Sequence, residues 1–161
     1  MRVGELVYLS LGSNVGDREA NLREAIRRLA DSGQVRKTSA LYETQPVDLL
    51  NQPWFLNCVV ELETGMTPQD LMRAALALEE EMGRMRIKKK GPRKIDIDIV
   101  LFGDAIVDTK SLTIPHPEMH KRRFVLQPLV EVAPLARHPV LNRTASELLQ
   151  EAGEGQIVRK L

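Results

Sequence analysis

Residues 95–99 read Ile-Asp-Ile-Asp-Ile, an alternation of acid and β-branched residue that only an extended strand can use, and the run continues apolar to Phe102. In a strand Ile95, Ile97 and Ile99 face one way. Asp96 and Asp98 face the other, about 7 Å apart over two rises of about 3.3 Å. Alternation alone describes a half-buried strand with a wet acidic face. Its neighbourhood argues for more, because residues 84–94 hold seven cations (Arg84, Arg86, Lys88, Lys89, Lys90, Arg93, Lys94) and no acid, while Lys121, Arg122 and Arg123 add three. Carboxylates at that spacing repel unless a cation lies between them, and all-oxygen ligands suit magnesium shared with substrate phosphates. Guanidinium forks would grip the remaining phosphate oxygens. The segment therefore predicts a polyphosphate site with Asp96 and Asp98 as metal ligands.

The formal net charge of the 161 residues is only +1, so these ten clustered cations leave the rest of the chain at −9. Such segregation favours a local anion site over a general nucleic-acid surface, which is more often basic throughout. The length suits one core and one domain spanning 1–161. No apolar run approaches the roughly 20 residues of a membrane span. The opening Met1–Asn14 stretch reads as a first strand and not as a signal peptide, so a cytoplasmic location is expected. The single cysteine, Cys58, lies in the apolar run Phe-Leu-Asn-Cys-Val-Val and reads as a buried thiol.

Glu5–Leu11 predicts a buried strand ended by a turn at Gly12-Ser13-Asn14 and Gly16-Asp17. Leu22, Ala25, Ile26, Leu29 and Ala30 mark one face of a helix stopped by Gly33. Val35–Glu43 and Trp54–Thr64 are strand-like and flank a loop over Thr44–Pro53. A second helix is capped by Thr67-Pro68, buries Leu71, Ala75, Leu78 and Met82, and ends at Gly83. After the basic segment, Lys94–Phe102 turns at Gly103-Asp104 into a hairpin partner, Ala105-Ile106-Val107. Pro115, Pro117, Pro128, Pro134 and Pro139 predict an irregular stretch, and Ser146–Ala152 a short terminal helix. Without a glycine-rich strand-to-helix turn, an α+β sandwich fits better than a doubly wound sheet.

Other residues carry weaker signals. Glu79 lies about 80° from the centre of its helix stripe, near the expected site, whereas Glu80 points away. His116 and His120 could share a metal only on a helix, which Pro115 and Pro117 oppose. His138 reads as structural. Phe55 and Asn57 share a strand face on which a flat heterocycle could stack and hydrogen-bond, although a core role is the commoner fate of a phenylalanine. Gly12 to Gly16 lacks the lysine and spacing of a phosphate loop.

Taken together, Gly12-Ser13-Asn14, Phe55-Leu56-Asn57, Gly83-Arg84-Met85-Arg86, Gly91-Pro92-Arg93, Asp96-Ile97-Asp98 and Pro115-His116 resemble the 6-hydroxymethyl-7,8-dihydropterin pyrophosphokinases of folate biosynthesis. Lys89–Val100 fits that family's signature without a break. The resemblance implies an α+β fold related to the ferredoxin-like sandwich, with a mainly antiparallel sheet flanked by helices. It implies transfer of pyrophosphate from ATP to the pterin hydroxymethyl group, releasing AMP, with two magnesium ions on Asp96 and Asp98. Arg84, Arg86, Arg93 and Arg122 would meet phosphates, and Glu79, Ile99, Thr113 and His116 would line the nucleotide site. Arg84 and Arg93 would join the aspartates as catalytic residues. The pterin would stack between Phe55 and Phe124, with Asn57 and Asp96 at its polar edge, helped by backbone groups of Thr44 and Val47. The segments Thr44–Pro53 and Arg86–Pro92 would close over both substrates. Small-molecule partners, no nucleic acid, no membrane and a monomer are expected.

The chain departs from the family pattern at three places. Lys90 stands where a tryptophan can precede Gly-Pro-Arg, in a loop one residue shorter; Ser111 stands where some members have arginine; and Pro117 stands where a tyrosine can occur. These departures keep open a catalytically inactive relative. An RNA-binding module of the same fold is the rival from another class, opposed by the 4% aromatic content and the acidic strand face.

Overall fold

The computed structural model describes residues 4–45, 53–83, 94–153 and 158–161. Along the chain these form β1 (Glu5–Ser13), α1 (Arg18–Arg28), β2 (Gln34–Thr38), β3 (Tyr42–Thr44), β4 (Phe55–Thr64), α2 (Pro68–Gly83), β5 (Asp96–Phe102), β6 (Val107–Asp108), β7 (Thr113–Ile114), α3 (Arg123–Val132), β8 (Arg137–His138), β9 (Arg143–Thr144), α4 (Ala145–Glu151) and β10 (Val158–Lys160). Single 3-10 turns occur at Leu29–Asp31 and Met119–Lys121. The main sheet has six strands in the order β10-β3-β4-β1-β5, with β2 also on β4, and every pairing is antiparallel. This is the expected α+β sandwich.

Both faces of the sheet are covered. On one, Leu9 and Leu11 of β1, Cys58 and Val60 of β4 and Ile97 and Ile99 of β5 pack in one buried cluster with Leu22 and Ala25 of α1 and the predicted α2 stripe. On the other, Tyr8, Val59 and Val100 pack with Val125, Leu126, Leu129 and Val132 of α3 and Leu148 of α4. The Thr67 cap is as expected, its hydroxyl accepting from the Asp70 N–H at 3.1 Å, and Asp17, read as part of a turn, caps α1 by accepting from the Ala20 N–H at 3.1 Å.

Five local expectations are corrected. Gly12 and Ser13 are not the turn but the end of β1, because pairing with Asn57 and Leu56 of β4 outweighs their turn propensity. The Val35–Glu43 run splits into β2 and β3 at Ser39, whose N–H reaches Val59 O and whose hydroxyl accepts from Val59 N, both at 2.9 Å. The Gly103 turn does not return a hairpin onto β5. Ala105–Val107 leads instead into β6, which pairs with β7, and the outer edge of β5 receives the His116 N–H at Val100 O, 3.0 Å. The proline-rich stretch contains α3, with Pro128 inside it. Loss of one helical donor there is outweighed by burial of Val125, Leu126, Leu129 and Val132 along one stripe. Finally, β10 adds a strand beyond α4 that the sequence did not announce.

No helix among the described residues is long and apolar enough to cross a membrane. Cys58 is fully buried, and burial pushes its thiol up to about 12. A thiol reagent at pH 8 should therefore label Cys58 only as fast as the protein opens. Labelling as fast as a free thiol, in a protein with intact circular dichroism, would contradict the packing of β4.

Candidate active site

The face that carries Asp96 and Asp98 changes character along the strands. Reading toward one end, β1 passes from Tyr8 to Ser10 and Gly12, β4 from Val59 to Asn57 and Phe55, and β5 from Val100 to Asp98 and Asp96. The apolar half lies beneath α3; the polar half is the candidate site. Register sets Asp96 beside Gly12, Gly12 beside Asn57, and Asn57 beside Tyr42. Asp98 stands beside Ser10 in the next row. Both aspartates are half-buried, while Ile95, Ile97 and Ile99 are buried on the opposite face, as alternation requires.

Asn57 is only 4% exposed, and the Thr44 hydroxyl donates to its Oδ1 at 2.5 Å. That bond fixes the amide's orientation and turns its NH2 along the sheet toward Gly12. A Cβ at residue 12 would stand 2.6 Å from Asn57 Nδ2 and 3.3 Å from Phe55 Cδ1, so a missing side chain makes room for the two polar-pocket residues. Glu79 reaches the site from α2, and its Oε2 accepts the Ile97 N–H at 2.6 Å. It thus holds the backbone between the two aspartates.

His116 lies along the edge of β5, its N–H on Val100 O, with Asp96 near enough to act on its ring. Burial, and then the nearby Arg122 guanidinium, push its imidazole down to about 4 against the opposite pull of Glu118 and Asp96. Its Nδ1 accepts the Glu118 N–H at 3.1 Å, which leaves the ring proton on Nε2. A neutral ring with an Nε2 donor suits a nucleotide's polar edge. Arg122 precedes α3 and lies over the Phe124 ring at 5.5 Å from its centroid. Thr113 is exposed in β7, and Ile99 turns its side chain into the core, leaving only its backbone to meet a nucleotide. Glu80 is exposed, and buried His138 accepts from Val140 and Leu141 N–H groups, a structural role.

Val47, Arg84, Arg86, Lys88 to Lys90 and Arg93 lie outside the described residues, as does most of both proposed closing segments. The structure therefore assembles Thr44, Phe55, Asn57, Glu79, Asp96, Asp98 and His116 around one end of the sheet. Gly12 and Ser10 were missed by sequence reasoning, although a glycine inside an apolar strand was a usable signal of close approach.

The two aspartates supply hard oxygen donors on one face without thiol or imidazole competition, a set that fits magnesium completed by phosphate oxygens. Among the described residues no group of three or more histidine, cysteine or acidic side chains is positioned to enclose a metal by itself.

Residues 8–134 match the model of the 7,8-dihydro-6-hydroxymethylpterin-pyrophosphokinase family. The chain belongs to that family. A 2-amino-4-hydroxy-6-hydroxymethyldihydropteridine pyrophosphokinase of Aquifex aeolicus is 41% identical over 145 residues, covering 90% of this chain and 91% of that protein. One of Bacillus subtilis is 42% identical over 132 residues, 81% of this chain and 79% of its own. Folic acid synthesis protein fol1 of Schizosaccharomyces pombe is 42% identical over 91% of this chain, which spans only 20% of that protein. A Plasmodium falciparum HPPK-DHPS crystal structure superposes with a TM-score of 0.72 over 93% of this chain and 46% of its own, at 18% identity, and so attests the fold.

Two measurements check the site. Gly12→Ala should destabilise the protein by about 1–3 kcal/mol in denaturant unfolding, because the pinned Asn57 amide cannot yield without losing Thr44. An unchanged midpoint would mean that Asn57 moves freely. In the metal-free protein the His116 ring should titrate near 4 by NMR. Since its folded value lies below the unfolded 6.5, the associated stability is present above pH 6.5 and is lost as pH falls toward 4. Titration at or above 6.5 would contradict the burial described.

Proposed function

We propose that the chain transfers the pyrophosphoryl group of ATP to the hydroxymethyl oxygen of 6-hydroxymethyl-7,8-dihydropterin, releasing AMP, as one cytoplasmic, monomeric catalytic unit. The observation that carries this reading is the row Asp96–Gly12–Asn57, in which a carboxylate suited to a metal shared with phosphate lies across Gly12 from a fixed amide beside an aromatic ring. Asn57, oriented by Thr44, offers the pterin edge a hydrogen-bonding partner that water cannot easily replace at 4% exposure. Phe55 and Phe124 are the stacking surfaces. His116 and the backbone of Ile99 take the nucleotide, and Arg122 brings positive charge to its phosphates.

Asp96 and Asp98 are the residues that would hold magnesium, two ions by our reading. Bound there with the phosphates, the metal supplies charge neutralisation as the phosphoryl centre is attacked. Glu79 maintains the strand so that both carboxylates keep one aspect. Arg84, Arg86 and Arg93 provide further phosphate contacts, by resemblance to the family. Catalysis of this kind rests on positioning and electrostatics, and no side-chain nucleophile is required.

The test is an assay with purified protein, magnesium, ATP and the hydroxymethyl pterin that separates AMP from ADP. AMP should form in step with the pterin pyrophosphate and fall about a thousandfold in Asp98→Asn. ADP would mean an ordinary kinase, and nucleotide binding without turnover would mean an inactive relative. Salt-dependent RNA affinity with no ATP binding would mean the RNA-binding reading.

A further inference from the structure

The pterin side of the proposed site rests on β3, a strand of only three residues, Tyr42–Thr44, laid against Phe55–Asn57. Three residues are a weak hold on register, and a slip of one would turn Thr44 to the opposite face, away from Asn57. Something else must fix this corner.

Glu43 pairs with Leu56, whose side chain is in the core beneath α1 and α2, so Glu43 points to the face opposite Thr44 and Asn57. There each oxygen of its carboxylate meets a different guanidinium. Arg18, the first residue of α1, reaches Oε2 with Nη2 at 3.0 Å, and Arg159 of β10 reaches Oε1 with Nη2 at 2.8 Å. Both arginines continue to the start of β4. Arg18 Nη1 donates to Trp54 O at 3.0 Å, and the Arg159 guanidinium lies 5.2 Å from the centroid of the Trp54 ring. Asn14, 1% exposed, adds a bond from Nδ2 to Pro53 O at 3.1 Å. The cluster thus ties β3 to the residues that enter β4 from beneath.

We infer that Arg18, Glu43 and Arg159 are positioning residues for the pterin subsite, clamping β3 against the entry to β4 so that Thr44, Phe55 and Asn57 keep one alignment. This rests on the function proposed above. Arg159 lies beyond the residues 8–134 that match the family model, so the clamp recruits β10, a strand outside that match. Glu43 is 21% exposed and Arg159 62%, which makes an isolated pair weak; the shared carboxylate and the ring contact make it a network. The two guanidiniums also hold the Glu43 carboxyl below the usual range, the Arg18 hydrogen bond most of all.

The experiment uses the full chain with Glu43→Gln, Arg159→Ala and the double variant, measuring pterin affinity, ATP affinity, melting temperature and amide exchange of residues 42–44. Pterin binding should weaken about fivefold in each single variant, with ATP affinity unchanged. The double variant should be no worse than the singles, and exchange should quicken at 42–44 but not in the β1–β5 pair. If Glu43→Gln does not fold, the exposed Arg159→Ala carries the same expectation. Unchanged pterin affinity in variants of a wild type that binds pterin would overturn this inference alone. Equal weakening of pterin and ATP with a lower melting temperature would reduce the clamp to general stability and overturn it too. A wild type that binds no pterin would overturn the proposed function and this inference with it.

Discussion

Hydrogen bonding of β1 on both of its edges, to β4 over nine residues and to β5 over six, sets the relative position of every group in the candidate site. With both edges of its backbone consumed by the ladders, β1 cannot slip, because a one-residue shift would move Leu9 and Leu11 out of the core under α1 and α2. The same register that buries those leucines sets Asp96 and Asn57 on either side of Gly12. Neighbouring strands are about 4.8 Å apart, so the carboxylate and the amide are held about 10 Å apart across a position that has no side chain. Core packing on one face thus dictates the geometry of the polar pocket on the other.

Electrostatics divides that pocket. Its β5 side gathers Asp96 and Asp98, with Glu79 accepting the Ile97 N–H between them. On the His116 side, burial and the Arg122 guanidinium keep the ring neutral, so it is a hydrogen-bond donor and not a second cation. Its β4 side is uncharged, made of Thr44, Asn57 and Phe55. Opposite sides of Gly12 therefore offer different chemistry, two carboxylates on the β5 side and an uncharged amide with an aromatic ring on the β4 side.

The arrangement is also held by groups on both faces of β3. Tyr42, beside Asn57 in register, donates its hydroxyl to Glu131 of α3 at 2.6 Å, and burial together with that carboxylate raises its ionisation well above the usual range. Ala40 N–H reaches the other Glu131 oxygen at 2.9 Å. The short strand β3 is therefore gripped on one face through Tyr42 and on the other through Glu43, which compensates for its three-residue length.

Strand β5 and its two-faced chemistry were legible in the residues themselves, because an alternation of isoleucine and aspartate has only one way to bury the isoleucines. The α2 stripe, most of the α1 face and the Thr67 cap were legible for the same reason, local periodicity and local hydrogen bonding, whereas Ala30, read on the α1 face, is exposed beyond the helix end. The family itself was legible because its signature residues lie close together in sequence. What needed the tertiary structure was whatever depends on a distant partner. Gly12 looks like a turn until β4 pairs with it. Pro128 looks like a break until its neighbours find a sheet to cover, and Arg159 has no evident purpose until β10 brings it to Glu43. Local sequence determined which strands and helices could form and which residues could bind; long-range pairing, which no window of sequence contains, decided which of them meet.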